Sequence, residues 1–207
     1  METFSWRNSI SRKTIPKMAL AVFIVFYLIS ILIHVHSLAL LSPNNTISIW
    51  DGYLCDLIEP SIPGLYRNTA RPFAVVALWS ICFGLLFLWR KLITVLRPNF
   101  GWYQIIWHGL GLFSIFLMLL LPFGNHDRII FFSGMSGIFS VLFVCLDLAK
   151  NRCYEQLWAG ILFLIALTSN NLLYLLDFWV DLLPMIQKFT LLSFVVWYLL
   201  LDKLTAK

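Results

Sequence analysis

Residues 18–41, which read MALAVFIVFYLISILIHVHSLALL, form an apolar run long enough to cross a bilayer as one α-helix. A membrane-spanning helix needs about 20 apolar residues to cross a hydrocarbon core of about 30 Å. The run follows Arg12, Lys13 and Lys17 as the h-region of a secretory signal would, but it is longer than such a region and has no A-x-A cleavage site. We therefore expect an uncleaved membrane-spanning helix.

Five further apolar runs follow, separated by short polar and basic segments. The chain of 207 residues is 60% hydrophobic, 16% aromatic and only 12% charged, which excludes a water-soluble domain of ordinary composition. The runs are continuous rather than alternating, which excludes a membrane β-barrel. The predicted spans are about 17–41, 72–89, 102–122, 129–149, 156–176 and 182–201. The predicted fold class is all-α, a polytopic bundle of six transmembrane helices in a single domain over residues 1–207.

The basic residues predict the orientation of this bundle. Eleven of the 15 Lys and Arg residues lie in the N-terminal segment, the second and fourth connections and the C-terminal tail. In a six-span chain these segments share one side of the membrane, and the positive-inside rule assigns that side to the cytoplasm. We therefore expect an inner or plasma membrane protein with both termini cytoplasmic. The net charge of +5 is explained by the Lys and Arg residues that set this orientation. No nucleic-acid partner is expected.

The first external loop, about residues 42–71, has the pattern of a short interfacial helix. Ser48 and Asp51 fit a capping box at its start, and Pro60 would end it. Apolar residues recur at helical spacing at Ile47, Trp50, Leu54, Leu57 and Ile58. This helix would lie on the bundle either as a plain surface cap or as a lid.

The fourth span carries a stripe of small residues. Its members are Ser133, Gly134, Ser136, Gly137 and Ser140. Small residues on successive turns let another helix approach closely. We expect this helix to be central, and its stripe to serve packing within the chain rather than dimerisation.

Polar and ionisable residues gather at the external ends of spans two to six. Such residues are costly near a membrane core and therefore mark candidate functional sites. The candidate ligand-binding residues are Asp56, Arg67, Asn68, Arg71, Asn125, His126, Asp127, Arg128, Asn171, Asp177, Asp181 and Lys188. Asn170 and Gln187 lie in the same layer. Ordinary loop polarity is the alternative explanation.

The sequence gives little support for a metal site, a catalytic motif or a channel. His34 and His36 are two residues apart, so a helix turns them about 200° from each other and they cannot jointly hold a metal. His126 beside Asp127 could bind zinc, although an ordinary polar contact is far more common. The chain has no nucleophile motif, no phosphate-binding loop, and no polar stripe through the membrane as a channel requires. No metal or cofactor is expected, no catalytic residue is assigned, and enzymatic activity is left open.

Three short pieces carry a resemblance to a known family. They are Tyr53–Arg71 with Leu54-Cys55-Asp56-Leu57 and Tyr66-Arg67-Asn68-Thr69-Ala70, then Leu121-Pro122-Phe123-Gly124-Asn125-His126, and Gln187-Lys188 followed by Trp197. They resemble an uncharacterised bacterial family of six-span membrane proteins, a domain of unknown function similar in layout to the DRAM and Sfk group. Where that family has Ser-Asp-Leu-Gly, this chain has Cys55-Asp56-Leu57-Ile58. The resemblance implies six helices, external positions for Asp56, Asn68, His126 and Lys188, and no known reaction.

These features together predict an outward-facing polar pocket that binds a lipid headgroup or another small amphiphile. One alternative is a structural subunit of a larger complex, with other membrane proteins as partners. Another is a membrane-embedded lipid hydrolase or transferase. It would pair His126 with a carboxylate as acid and base, within about 2.6–3.2 Å of each other or of a bridging water. The candidate carboxylates are Asp56, Asp127 and Asp181.

Overall fold

The computed structural model describes residues 3–41, 52–61, 67–96, 102–176 and 179–206. The six α-helices in these ranges are α1 (Thr3–Leu41), α2 (Arg71–Leu96), α3 (Trp102–Leu120), α4 (His126–Lys150), α5 (Tyr154–Leu176) and α6 (Leu183–Thr205). Two 3₁₀ helices, Leu54–Leu57 and Val180–Leu182, precede α2 and α6. All six long helices are apolar enough to cross a membrane. The chain is therefore an all-α, six-span integral membrane protein, and this prediction is confirmed.

Helices that are adjacent in the chain pack side by side, and α6 also packs against α2. The first half of α1 meets the second half of α6, where the Tyr198 hydroxyl donates a hydrogen bond to the Pro16 carbonyl at 2.9 Å. The α4–α5 connection is short because Asn151 ends α4 and Arg152 turns the chain at φ 57°. The helices thus enclose a common centre.

One end of the bundle has a solid core. We call it the basic end, since it holds the start of α1, the end of α6 and the α2–α3 and α4–α5 connections. Trp107 is fully buried, donates through Nε1 to Asp147 Oδ2 at 3.2 Å and meets the ring of Trp89 edge-on, with centroids 5.5 Å apart. Trp197, which is 2% exposed, donates to the Gln156 carbonyl at 3.1 Å. Indole rings with satisfied N–H groups therefore fill this end.

The opposite end, which we call the roof end, is covered by connecting segments. The main one, which we call the roof segment, is residues 52–61. The described part of the predicted interfacial helix contains the 3₁₀ turn Leu54–Leu57, with Leu57 buried. The predicted capping box at Ser48 and Asp51 lies outside the described residues.

The stripe of small residues on α4 packs within the chain as predicted, with Ser140 against α3, but α4 is not a central helix. Ser140 is buried and donates to the Trp107 carbonyl at 2.7 Å. On the other side of the same helix, Phe132 is 55% exposed and Phe139 is 47% exposed. The expectation of a central helix was wrong, because the six helices surround a space and each keeps an outward face for lipid.

Candidate functional site

Asn68 holds the roof segment in place. Its side chain is 2% exposed. Its Nδ2 donates to the carbonyl oxygens of Asp56, Leu57 and Glu59 at 2.9, 3.3 and 2.9 Å. Its Oδ1 accepts from the backbone N–H of Ala70 at 3.0 Å. Because the backbone occupies both ends of the amide, the hydrogen bonds of Asn68 position the loop.

Arg71 joins the roof segment to the α3–α4 connection. Its Nε donates to the Ile58 carbonyl at 2.9 Å, and its Nη2 donates to the Pro122 carbonyl at 2.6 Å. A guanidinium presents its donors in a fixed fork, which suits it to bridging two carbonyl groups. This predicted ligand-binding cation therefore connects two loops.

Two neighbouring side chains of α6 bind the other end of the roof segment. Gln187 Oε1 accepts from the backbone N–H of Leu54 at 2.9 Å. Lys188 Nζ donates to the carbonyl oxygens of Gly52 and Pro184 at 2.8 and 3.1 Å. The ammonium group that stood out within an apolar sequence thus lies against backbone carbonyls at the roof.

His126 and Asp127, the first residues of α4, face different partners. His126 Nδ1 lies 3.7 Å from Glu59 Oε1 of the roof segment. The Asp127 carboxylate accepts a hydrogen bond from the Tyr174 hydroxyl of α5. Among the described residues, the carboxylate within 4.0 Å of a His126 ring nitrogen is therefore that of Glu59, and none of the aspartates that the hydrolase alternative requires lies so close.

The other predicted site residues have separate surroundings. Asn125 caps α4, its Oδ1 accepting from the backbone N–H of Arg128 at 3.1 Å. Asn171 donates within α5, to the Leu167 carbonyl at 2.9 Å. Arg67, Arg128 and Asp181 are exposed, as is Asn125. Asp177 lies outside the described residues. Ligand binding by this polar layer stays a prediction.

A cavity of about 390 Å³ lies between the helices, beneath the roof segment. Leu54, Leu57 and Ile58 border it from the roof, and Trp89 and Trp197 border it from the basic end. Other apolar wall residues are Phe23, Tyr27, Leu78, Ile81, Leu85, Ile115, Met118, Val141, Phe163, Leu167, Leu191 and Phe194. Pockets for small molecules commonly measure about 300–1,000 Å³ and are mostly apolar. The cavity has the size and the chemistry to hold an apolar chain.

The polar residues predicted from the sequence are largely not those of this cavity. Of the twelve, only Asn171 borders it among the described residues. Sequence reasoning missed the cavity because its wall residues are ordinary apolar side chains whose inward direction depends on how the helices are arranged.

One sequence signal did point toward the cavity. Ser133, Gly134 and Gly137 of the α4 stripe border it, as do Ala77 of α2 and Gly111 of α3. Gly111 and Gly134 let the side chains of Trp89 and Asn171 approach closely, since a Cβ at either glycine would overlap them. The stripe was assigned to packing alone, whereas it also forms part of the cavity wall.

Cys55 is the ionisable group of the roof segment that borders the cavity. Burial raises the pKa of its thiol to about 12, and the negative charges of Asp56, Glu59 and Asp127 act in the same direction. A thiol with a raised pKa carries little thiolate at neutral pH and reacts slowly. Cys55 is thus a poor nucleophile.

Comparisons with known proteins found no match from which a function could be taken. No protein-family model matches the chain, and no curated protein or solved structure matches it. The resemblance of three short pieces to a bacterial six-span family therefore stays a prediction.

Proposed function

We propose that this integral membrane protein binds a lipid or another small amphiphile in the cavity beneath its roof segment, with the apolar part of the ligand between the helices. The observation that carries the proposal is the cavity of about 390 Å³. Water has few hydrogen-bond partners in so apolar a space, whereas an apolar chain restores the dispersion contacts that the wall lacks when empty. The acyl chains of lipids are the apolar groups that surround such a bundle.

The polar end of the ligand would point toward the roof, where the amides of the cavity wall lie. Asn170, Asn171 and Gln187 border the cavity on this side, and Tyr174 borders it one turn nearer to the end of α5. This gives the cavity a polar rim and an apolar interior, an arrangement that suits an amphiphile better than a pure hydrocarbon.

Native mass spectrometry with lipid analysis, on the protein purified in a mild detergent, tests the proposal. We expect a retained lipid in a stoichiometric amount. Leu167→Trp places a larger side chain in the cavity wall and should abolish retention. Leu162→Trp is the matched control, because Leu162 lies on the same helix and is 48% exposed; it should retain the lipid.

Two results would contradict the proposal. One is equal retention by the Leu167→Trp and Leu162→Trp proteins, which would mean that the lipid binds the outer surface. The other is a bound partner chain without any retained lipid, which would favour the structural-subunit alternative and identify the polar layer as an interface.

We further propose that both termini are cytoplasmic and that the roof end faces outward. The concentration of Lys and Arg at the basic end supports this orientation. A cysteine-free protein given one cysteine at Ser48 should react with a membrane-impermeant maleimide from outside, and one retaining only Cys153 should react after permeabilisation. Labelling of Ser48→Cys from the cytoplasmic side alone would refute the orientation. The bacterial six-span family remains the relative that we propose, on the residues that carry the resemblance.

A further inference from the structure

The cavity wall carries no charge in the part of the chain that the structure describes. No Asp, Glu, Lys, Arg or His side chain borders it there. A charged headgroup drawn beneath the roof would lose its hydration and gain no countercharge. The cavity therefore favours a ligand that is uncharged along the whole length it inserts.

Several polar side chains of the wall already form hydrogen bonds within the chain. Ser114 of α3 and Ser133 of α4 donate to each other's carbonyl oxygens at 2.9 and 3.1 Å. Thr190 donates to the Ile186 carbonyl at 2.7 Å. Asn171 donates within its own helix at 2.9 Å. These groups have partners without any ligand.

Asn170 is different. Its side chain borders the cavity, and its Oδ1 is buried without a hydrogen-bond partner among the residues that the structure describes. Asn170 lies six residues before Leu176, the end of α5, and therefore about 9 Å from that end along the helix axis. A buried amide oxygen without a donor is rare in folded proteins. The last side-chain torsion of Asn is broad, so this amide can reorient when a ligand enters the cavity.

We propose that the ligand is an uncharged lipid with a free hydroxyl group, of the monoacylglycerol class, and that Asn170 Oδ1 accepts a hydrogen bond from that hydroxyl. This inference rests on the proposed function and specifies its ligand. The unpartnered atom is an acceptor, so the ligand must donate. The described wall residues carry no charge and therefore disfavour a fatty acid anion, and the apolar walls hold the acyl chain.

Binding of three ligands that share one acyl chain tests the inference. The purified protein is delipidated and titrated by native mass spectrometry with mono-oleoylglycerol, methyl oleate or oleate. Mono-oleoylglycerol donates a hydrogen bond, methyl oleate does not, and oleate is charged. We expect mono-oleoylglycerol to bind about tenfold more tightly than methyl oleate, and oleate to bind most weakly.

Asn170→Leu should lose the preference for mono-oleoylglycerol while it keeps the affinity for methyl oleate. Thr94→Val is the control, because Thr94 is exposed on α2 near the basic end and lies outside the cavity wall; it should keep the preference. If Asn170→Leu does not fold, the ligand preference of the unmodified protein decides the question.

The outcomes separate this inference from the proposed function. Equal binding of mono-oleoylglycerol and methyl oleate, tightest binding of oleate, or an undiminished preference in Asn170→Leu would overturn the inference and leave the cavity as a lipid site. Binding of none of the three ligands would overturn both.

Discussion

Replacing Gly111 by alanine should destabilise the protein through one interhelical contact. Gly111 lies on α3 where the ring of Trp89 from α2 is closest, and a methyl group there would overlap ring atoms Cε2, Cζ2 and Nε1. Trp89 is 3% exposed and packs edge-on against fully buried Trp107. Its Nε1 also donates to the His108 carbonyl at 3.4 Å. The ring therefore has little freedom to move aside.

The magnitude follows from the cost of overpacking. An added methyl group in a well-packed core costs about 1–3 kcal/mol. Gly109→Ala is the matched control on the same helix, because Gly109 is exposed and a methyl group there meets nothing within 4 Å. An exposed helical Gly→Ala change should stabilise the helix by about 0.5–1 kcal/mol. The two variants should therefore differ by about 1.5–4 kcal/mol.

Thermal unfolding in a mild detergent, followed by tryptophan fluorescence, measures the difference. At about 2–4 °C per kcal/mol for a chain of this size, Gly111→Ala should melt roughly 2–12 °C below the unmodified protein. Gly109→Ala should melt at the same temperature or slightly higher. If Gly111→Ala melts no lower than Gly109→Ala, α2 and α3 do not meet at Gly111. The described position of Trp89 at the basic end of the cavity would then be wrong.

Three further predictions concern the roof and the basic end. In proteins that keep one cysteine each, Cys55 should react with maleimide at neutral pH at least roughly tenfold more slowly than Cys153, because burial raises the pKa of the Cys55 thiol to about 12. Equal rates would contradict the burial of Cys55 beneath the roof segment. Asn68→Ala should accelerate the labelling of Cys55 and lower the melting temperature, since it leaves buried backbone groups without partners at about 1–3 kcal/mol each; an unchanged labelling rate would show that other contacts suffice to hold the roof. Tyr198→Phe should lower the free energy of unfolding by about 0.5–1.5 kcal/mol, as measured by thermal unfolding, because it removes the hydrogen bond to the Pro16 carbonyl. An unchanged stability would mean that α1 and α6 are not joined there.

The polar layer shows how far local sequence reasoning reaches. Asn68 and Arg71 stood out as polar residues beside apolar spans, and the structure does bring both to the roof end. Their hydrogen-bond partners are backbone groups, among them the carbonyl oxygens of Asp56, Ile58 and Pro122. Every residue carries such groups, and no sequence pattern marks them. Their position could therefore be predicted, but their role in holding loops could not.

The α4 stripe shows a second limit. Spacing predicted that Ser133 and Ser140 face another helix, and they do hydrogen bond to α3. The same spacing cannot say whether the partner helix closes over the whole stripe. That depends on the positions of all six helices, and around Gly137 a space remains.

Six apolar runs of spanning length were enough to show that this chain crosses a membrane six times, because they allow no soluble alternative, and the asymmetry of Lys and Arg predicted its orientation. The packing of the helices was needed to show that they surround a cavity, covered by the roof segment, whose described wall residues carry no charge. Hydropathy is a property of single segments, whereas a cavity is the space left between segments. Its size and chemistry follow from the inward faces of all six helices together.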